Sequence, residues 1–312
     1  MAVTPLRPAS TVVLLRDACP DHGRRAPPAS AKAMADKQLE VFLVRRHDNL
    51  AFMSGAHVFP GGRVDAADAI RDAERFCDGV DAAASRMRDL SAEGALAHHV
   101  AAIRELFEEA GILLARRGNA IIDIDDVAVG PEATASRIRW QPYRRQLATG
   151  AIALSEIAAR EQVRLALDEL AYFAHWVTPD IETRRFDTRF FVAVVPPNQH
   201  ASHDEGETTH GEWMRPADAI ARCLRDEIAL PPPTWTTLRQ LEDFATVAEV
   251  MTWARTREVP RVQPGFIQNG SRRIVLLPGD PEVEKIAGFE ARETRFILED
   301  GRWSPINDRR ST

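Results

Sequence analysis

The chain has 312 residues, 45% of them hydrophobic, a formal charge of −6 and three cysteines. That is ample for a buried core, but no run approaches the roughly 18 uninterrupted apolar residues of a membrane span. The acidic balance without a long basic run argues against gripping a nucleic-acid backbone, and the scattered Cys19, Cys77 and Cys223 argue against a disulfide framework or zinc knuckle.

A reducing cytoplasm and a small-molecule substrate are therefore expected. Met1 to Ser10 carries prolines in place of a charged-then-apolar signal, and Arg310-Ser311-Thr312 is no Ser-Lys-Leu address. Thr11 to Arg16 (TVVLLR) and Leu39 to Arg45 (LEVFLVR) read as strands joined by an Ala/Pro/Arg-rich surface insertion at about 17–37. After Phe59-Pro60-Gly61-Gly62, Ala66 to Gly94 is rich in Ala, Asp and Arg, which predicts helical pieces on the surface and a second insertion at about 69–95. Leu96, Val100, Ile103, Phe107 and Ala110 recur at helical steps, so Leu96 to Leu113 is expected to lay one stripe on a core and to end near Gly111. Glu105, Glu108 and Glu109 then fall on the opposite side.

Arg137 to Glu169 reads as Ala-rich helix, Phe186 to Val195 as a strand closed by Pro196-Pro197, and Asn198 to Gly211 as a polar loop. Order resumes at Glu212-Trp213-Met214, and a short helix opens at Arg215-Pro216-Ala217-Asp218. Thr234 is placed to cap a helix whose packed stripe is Trp235, Leu238, Leu241, Phe244, Val247 and Met251. Arg273 to Leu277 and Thr294 to Leu298 are the last strands. With neither a regular β-α-β rhythm nor a glycine fingerprint after a strand, a mixed-sheet α/β or α+β fold is expected.

The chemistry sits in Arg104-Glu105-Leu106-Phe107-Glu108-Glu109-Ala110-Gly111-Ile112. Clustered glutamates would repel an anionic pyrophosphate unless divalent cations lay between them, so magnesium or manganese is implied for a phosphate substrate. Glu105 and Glu109 are one turn apart with Glu108 beside them, which offers hard oxygen ligands on one face. Arg104, four residues before Glu108, is placed to orient that carboxylate, and the Gly61-Gly62 turn lets a backbone carbonyl reach the same ions.

These nine residues match R-E-U-x-E-E-x-G-U at every specified position, and the chain resembles the Nudix hydrolases. An isolated E-x-x-E-E is ordinarily a solvated helix face; a full match behind a Phe-Pro-Gly-Gly turn argues otherwise. Gly62 takes the pattern's leading glycine and Asp68 its next carboxylate, where Glu is usual. Between Asp68 and Arg104 stand 35 residues, Ala69 to Ile103, where the pattern has seven, an excess of 28. That leaves the role of Asp68 open.

Phe59 to Asp68, Ala102 to Leu114, Trp176 to Phe191, Glu212 to Ala217 and Leu230 to Phe244 are similar to the peroxisomal-type coenzyme A diphosphatases, a branch whose box is likewise split and in which Asp at this place is normal. The resemblance implies a mixed β-sheet between helices, with a hydrolase domain at 1–225 and a helical and hairpin extension at 226–312. It also implies a metal site of Glu105, Glu108, Glu109 and the carbonyl of Gly61 or Gly62, with Glu108 and Arg104 in catalytic roles, and a homodimer. Glu212 is the expected fourth carboxylate, as ligand or general base, unless it is a strand-end surface acid; Glu205 and Glu207 compete with it. Arg184 and Arg185 are placed for a substrate phosphate or, equally, for surface salt bridges. Arg46 and Gly55 match a coenzyme A signature of another branch, in which Ala51 replaces a second arginine. His98 reads as a solvated histidine, and His200, His203 and His210 do not make a zinc set.

The expected reaction is attack of a metal-activated water on a phosphorus of a nucleoside diphosphate linked to X, for coenzyme A giving 3′,5′-ADP and 4′-phosphopantetheine or its acyl form. ADP-ribose, reduced nicotinamide dinucleotide and nucleotide sugars are rival substrates. A noncatalytic nucleotide-binding module is a rival of another class, and it would be expected to lose box glutamates that are present here.

Overall fold

Val12 to Leu15 and Phe190 to Ala193 are apolar without alternation, as in strands covered on both faces. In the computed structural model, which describes residues 4–18, 39–49, 53–124, 131–204, 208–270 and 272–306, they lie side by side at the centre of the main sheet. The first half of the chain forms β1 (Leu6–Asp17), β2 (Leu39–Arg46), β3 (His57–Val58), β4 (Gly61–Arg63), a 3-10 turn (Ala66–Asp68), α1 (Ala73–Phe76), β5 (Cys77–Asp78), α2 (Val80–Arg86), α3 (Ala92–Ala110), β6 (Ala115–Arg117), β7 (Ala120–Ile121) and α4 (Pro131–Ala148). Then come α5 (Leu154–Glu161), β8 (Arg164–Ala166), β9 (Ala171–Val177), β10 (Arg185–Val194), β11 (Thr208–Met214), α6 (Pro216–Leu224), α7 (Pro232–Leu241), α8 (Val247–Thr256), β12 (Arg261–Val262), β13 (Gly265–Asn269), β14 (Arg272–Leu276), β15 (Arg295–Glu299) and β16 (Arg302–Pro305).

The main sheet runs β11-β2-β1-β10-β9-β12, with β3 added to β2 and β4 to β1. β1 and β10 are parallel from Leu6 opposite Arg185 to Leu15 opposite Val194, whereas β2, β4 and β9 join this pair antiparallel. Val12, Leu14, Phe42, Val44, Phe191 and Ala193 pack with Ile103, Leu106 and Phe107 of α3 and Trp140 of α4. Val13, Leu15, Val41, Leu43, Phe190 and Val192 pack on the other face with Ile220 of α6, Trp235 and Leu238 of α7 and Val250 of α8. The mixed sheet between helix layers is the expected fold class, with the glutamate-bearing helix on the first face.

Several local expectations need correction. The segment after Asp68 is not confined to the surface: Cys77, Ala83 and Met87 are buried in the first core, and β5 pairs with β8 in a small sheet ordered β5-β8-β6-β7. Residues 137–169 are two helices, a strand and a 3-10 turn at Leu167–Glu169, because Leu165 and Ala166 are drawn into that sheet. Ala171–Val177 is a further strand, and the loop after Pro197 ends earlier than expected, at Thr208. The single helix expected from Trp235 to Met251 is two, and the helix N-cap is Pro231, not Thr234. The C-terminal hairpin is a four-stranded antiparallel sheet, β13-β14-β15-β16, whose Val275 and Phe296 pack into the second core. Of the first insertion only residues 17 and 18 are described; Cys19, Ala51, Glu205, Glu207 and Arg310 to Thr312 lie outside the described residues.

Candidate active site

Ser91 starts α3 by accepting a hydrogen bond from Gly94 N at 3.2 Å, and Gly111 ends it at φ 68°. The N–H of Gly111 returns to Phe107 O at 3.0 Å and that of Ile112 to Leu106 O at 3.4 Å, the paired closure a left-handed glycine permits. Between these caps the helix is buried on more than its apolar stripe. Glu105 and Glu109 are 8% and 6% exposed, contrary to a solvated polar side, because β4 and the 3-10 turn cover them.

Arg104 is the hub. Its Nε and Nη2 donate to the two oxygens of Asp68 at 2.9 and 3.0 Å, Nη1 donates to Glu105 Oε1 at 2.8 Å and Glu108 Oε1 at 3.2 Å, and Nη2 also reaches Arg63 O at 2.7 Å. Asp68 is 1% exposed and accepts a further bond from Asp65 N at 2.8 Å. The carboxylate whose role the sequence left open is thus the anchor of the arginine that orients Glu105 and Glu108. The glycine pair admits the helix: a Cβ on Gly62 would sit 2.3 Å from Glu105 Oε1, and Gly61 N donates to Glu109 Oε2 at 2.9 Å.

The electrostatics are lopsided: Asp65, Asp68, Glu105 and Glu108 all lie within 3.9 Å of the one guanidinium, and Glu109 stands beside them on Gly61 N. Burial, offset in part by Arg104 and reinforced by Glu108, pushes Glu105 up to about 8. Burial raises Glu108 as well. Burial would lower Arg104, but its bonds to Asp68 and the adjacent glutamate charges prevail and hold it above its ordinary value. Glu105 Oε1 and Glu108 Oε1 are both turned toward Arg104, and among the described residues no three His, Cys, Asp or Glu side chains stand in a metal-holding arrangement. The donor set nevertheless fits a hard divalent cation in kind: anionic oxygens, closely grouped, with more negative charge than the protein neutralises.

Other expected site residues are not brought here. Glu212 on β11 pairs with Leu43, whose side chain lies in the second core, so Glu212 shares the sheet face away from α3. Its carboxylate accepts from Arg222 of α6 at 2.9 Å, so the fold does not bring it into this group. Arg185 is 5% exposed and is committed to Thr4 O at 2.9 Å and to Asp180, so it is a structural arginine, while Arg184 is exposed. Arg46 follows Val44 on the face of α3, and its buried Nε has no partner. His98 is buried, not solvated; its Nδ1 meets Ser10 Oγ at 3.0 Å. His203 and His210 have ring centroids 6.3 Å apart and belong to no metal-holding group among the described residues.

Two features carried no sequence signal. Asp89, before α3, pairs with the buried Arg189 of β10 at 2.7 Å, and Arg189 also donates to Tyr172 OH at 2.8 Å. Arg144 of α4 donates to the carbonyl of Glu108 at 2.8 Å. Both partners are remote in sequence, and only the fold joins them.

A family model described as the NUDT19 Nudix domain matches residues 82–241. The chain is 29% identical to the acyl-coenzyme A diphosphatase NUDT19 of Homo sapiens, over 82% of its own length and 73% of that protein's. It is 28% identical to the Gallus gallus protein of the same name, over 88% and 79%. Among solved structures it is similar to a NUDIX hydrolase from Alicyclobacillus acidocaldarius, with a TM-score of 0.60 and 27% identity over 80% of this chain and 97% of that one.

Proposed function

The chain belongs to the Nudix hydrolase family, and from that premise we propose that it hydrolyses the pyrophosphate bond of coenzyme A or acyl-coenzyme A, releasing 3′,5′-ADP and 4′-phosphopantetheine or its acyl form. The observation that carries the substrate is the shared name of the human and chicken relatives, each aligned over most of both chains. The observation that supports the chemistry is the group of carboxylates gathered around Arg104 and the Gly61-Gly62 turn.

Glu105, Glu108, Glu109 and a carbonyl of Gly61 or Gly62 would hold magnesium or manganese. A bound divalent ion supplies Lewis-acid polarisation of the phosphate and lowers the pKa of an attacking water. Arg104 positions the carboxylates: it fixes Oε1 of Glu105 and Oε1 of Glu108 and leaves Oε2 of Glu108 to accept the proton of the water. Asp68 keeps Arg104 in place from behind. Arg46, whose buried Nε has no protein partner, and the exposed Arg184 are the arginines for substrate phosphates. Among the described residues no helix is long and apolar enough to cross a membrane; a cytoplasmic homodimer is part of the proposal, and light scattering of the eluted protein tests the dimer.

The deciding assay offers coenzyme A, acyl-coenzyme A, ADP-ribose, reduced NAD and nucleotide sugars with magnesium or manganese and reads products by mass spectrometry. Phosphopantetheine release in preference to every other product is expected. Preference for another compound discards the substrate, and no metal-dependent cleavage of any discards the reaction. Glu109→Gln keeps an acceptor for Gly61 N and should retain the fold while losing about a hundredfold or more in turnover, since even outer-shell changes at metal sites cost about 10–100-fold.

A further inference from the structure

The last turn of α3 ends against a side chain that lies outside the box. Arg144 of α4 is 7% exposed. Its Nε donates to Glu108 O at 2.8 Å, its Nη2 to Ser202 O at 2.8 Å and its Nη1 to Ser202 Oγ at 3.1 Å. Ser202 closes the circuit by donating its own N–H to Ala110 O at 2.9 Å. One turn before Arg144, Trp140 meets Phe107 edge-on with centroids 6.3 Å apart, which seats α4 on α3.

Gly111 makes room for this contact. A Cβ there would lie 3.0 Å from Arg144 Nη1 and 3.2 Å from Ser202 Oγ, so this position needs glycine for the approach of the guanidinium as well as for its positive φ. The carbonyls of a final helical turn have no partner within the helix. A buried cation placed on them satisfies one and complements the negative end of the helix dipole.

Resting on the Nudix reading above, we propose that Arg144 is a positioning residue of the active site: by fixing the backbone of Glu108 and tying it to Ser202, it sets the direction of the Glu108 and Glu109 carboxylates. Glu105 is one turn earlier and is oriented separately, by Arg104 and by its close fit to Gly62. At Glu108, where Arg104 Nη1 holds the side chain through Oε1 at 3.2 Å, Arg144 complements that contact by holding the backbone. A planar fork is required, because three oxygens from two segments are engaged at once; an ammonium on a flexible stem cannot replace it.

The test compares Arg144→Gln, Arg144→Lys and, as a control for charge, Arg145→Gln at the exposed neighbouring position. Manganese binding is read by electron paramagnetic resonance of the free ion, alongside kcat and KM for coenzyme A hydrolysis. Arg144→Gln should weaken manganese binding about tenfold and lower kcat by a similar factor with little change in KM. Millimolar guanidinium should restore part of both, Arg144→Lys should recover little, and Arg145→Gln should match the parent.

Parent-like manganese affinity in Arg144→Gln overturns the proposal. So do losses that guanidinium fails to restore, which would make Arg144 a stability contact only. If the parent protein cleaves none of the pyrophosphates, the assigned function falls while the manganese constants still decide the role of Arg144. If the parent binds no manganese, both fall.

Discussion

Asp68 illustrates what one buried residue does here: it compensates a guanidinium that burial would otherwise penalise, and it does so with both oxygens. Asp68→Ala leaves Arg104 with Glu105 and Glu108 but without its rear anchor, so a loss of about 3 kcal/mol in urea unfolding is expected, the low end for breaking a buried pair. An unchanged midpoint would remove Asp68 from the network. Gly62→Ala probes the other side of the site. Its methyl would enter the space of the Glu105 carboxylate, so folding should survive with Glu105 displaced, and manganese affinity should fall by about tenfold or more; parent-like affinity would show that Glu105 is free to move aside. The box itself was legible in the sequence because its chemistry needs residues one helical turn apart, which are close in sequence as well. Asp68 and Arg144 each lie 36 positions from the residue they hold, beyond any local pattern. The face that Glu212 takes is not legible for a related reason: it depends on the pairing of its strand with β2.

At the scale of elements, the segment that splits the box is built into the fold. It supplies the first turns of α3, Cys77 and Met87 to the first core, and Asp89 to Arg189. Arg86 adds a further tie, donating at 2.9 Å to both Ala254 O and Arg257 O at the end of α8. Asp89→Asn removes one charge from Arg189, which keeps Asp187 at 3.3 Å and Tyr172 at 2.8 Å. Because the Asp89 side chain is 54% exposed, the expected cost is only about 1 kcal/mol; no change in denaturant midpoint would mean that this ion pair does not fasten the insertion. Composition predicted surface helices here, since short Ala- and Asp-rich pieces look solvated until a neighbouring strand is present to cover them. The helix from Trp235 to Met251 failed differently. Its apolar spacing continues in phase across the break, but Thr246 accepts from Glu249 N at 3.3 Å and Glu249 returns to Ala245 N at 2.7 Å, which starts a new helix. That Thr-x-x-Glu signal was in the sequence and outweighs periodicity.

For the whole molecule, buried titratable groups of opposite behaviour set a stability optimum. Burial lowers His57, His98 and His99 each to about 4. They stay neutral in the fold while the unfolded chain binds protons below about 6.5, so the stability they contribute is complete above that pH and is lost as pH falls toward 4. Glu105 works the other way. Its folded pKa of about 8 exceeds the ordinary carboxylate value, so its contribution is complete below about 4.5 and is lost as pH rises through 8, at up to about 1 kcal/mol per pH unit. Between 4.5 and 6.5 these histidines, with His175, which burial also lowers, outweigh Glu105 and stability rises with pH; above 6.5 they fade, and Glu105, with Glu108 raised in the same direction, tilts the curve down. Thermal unfolding in a chelator should therefore show its highest midpoint near pH 6.5 and a decline toward pH 8. Added magnesium, by favouring the ionised carboxylate, should remove that decline and leave the acid limb unchanged. A midpoint that is flat or rising from pH 6.5 to 8 in chelator would contradict the excess negative charge assigned to the site, and a decline insensitive to magnesium would place its cause elsewhere.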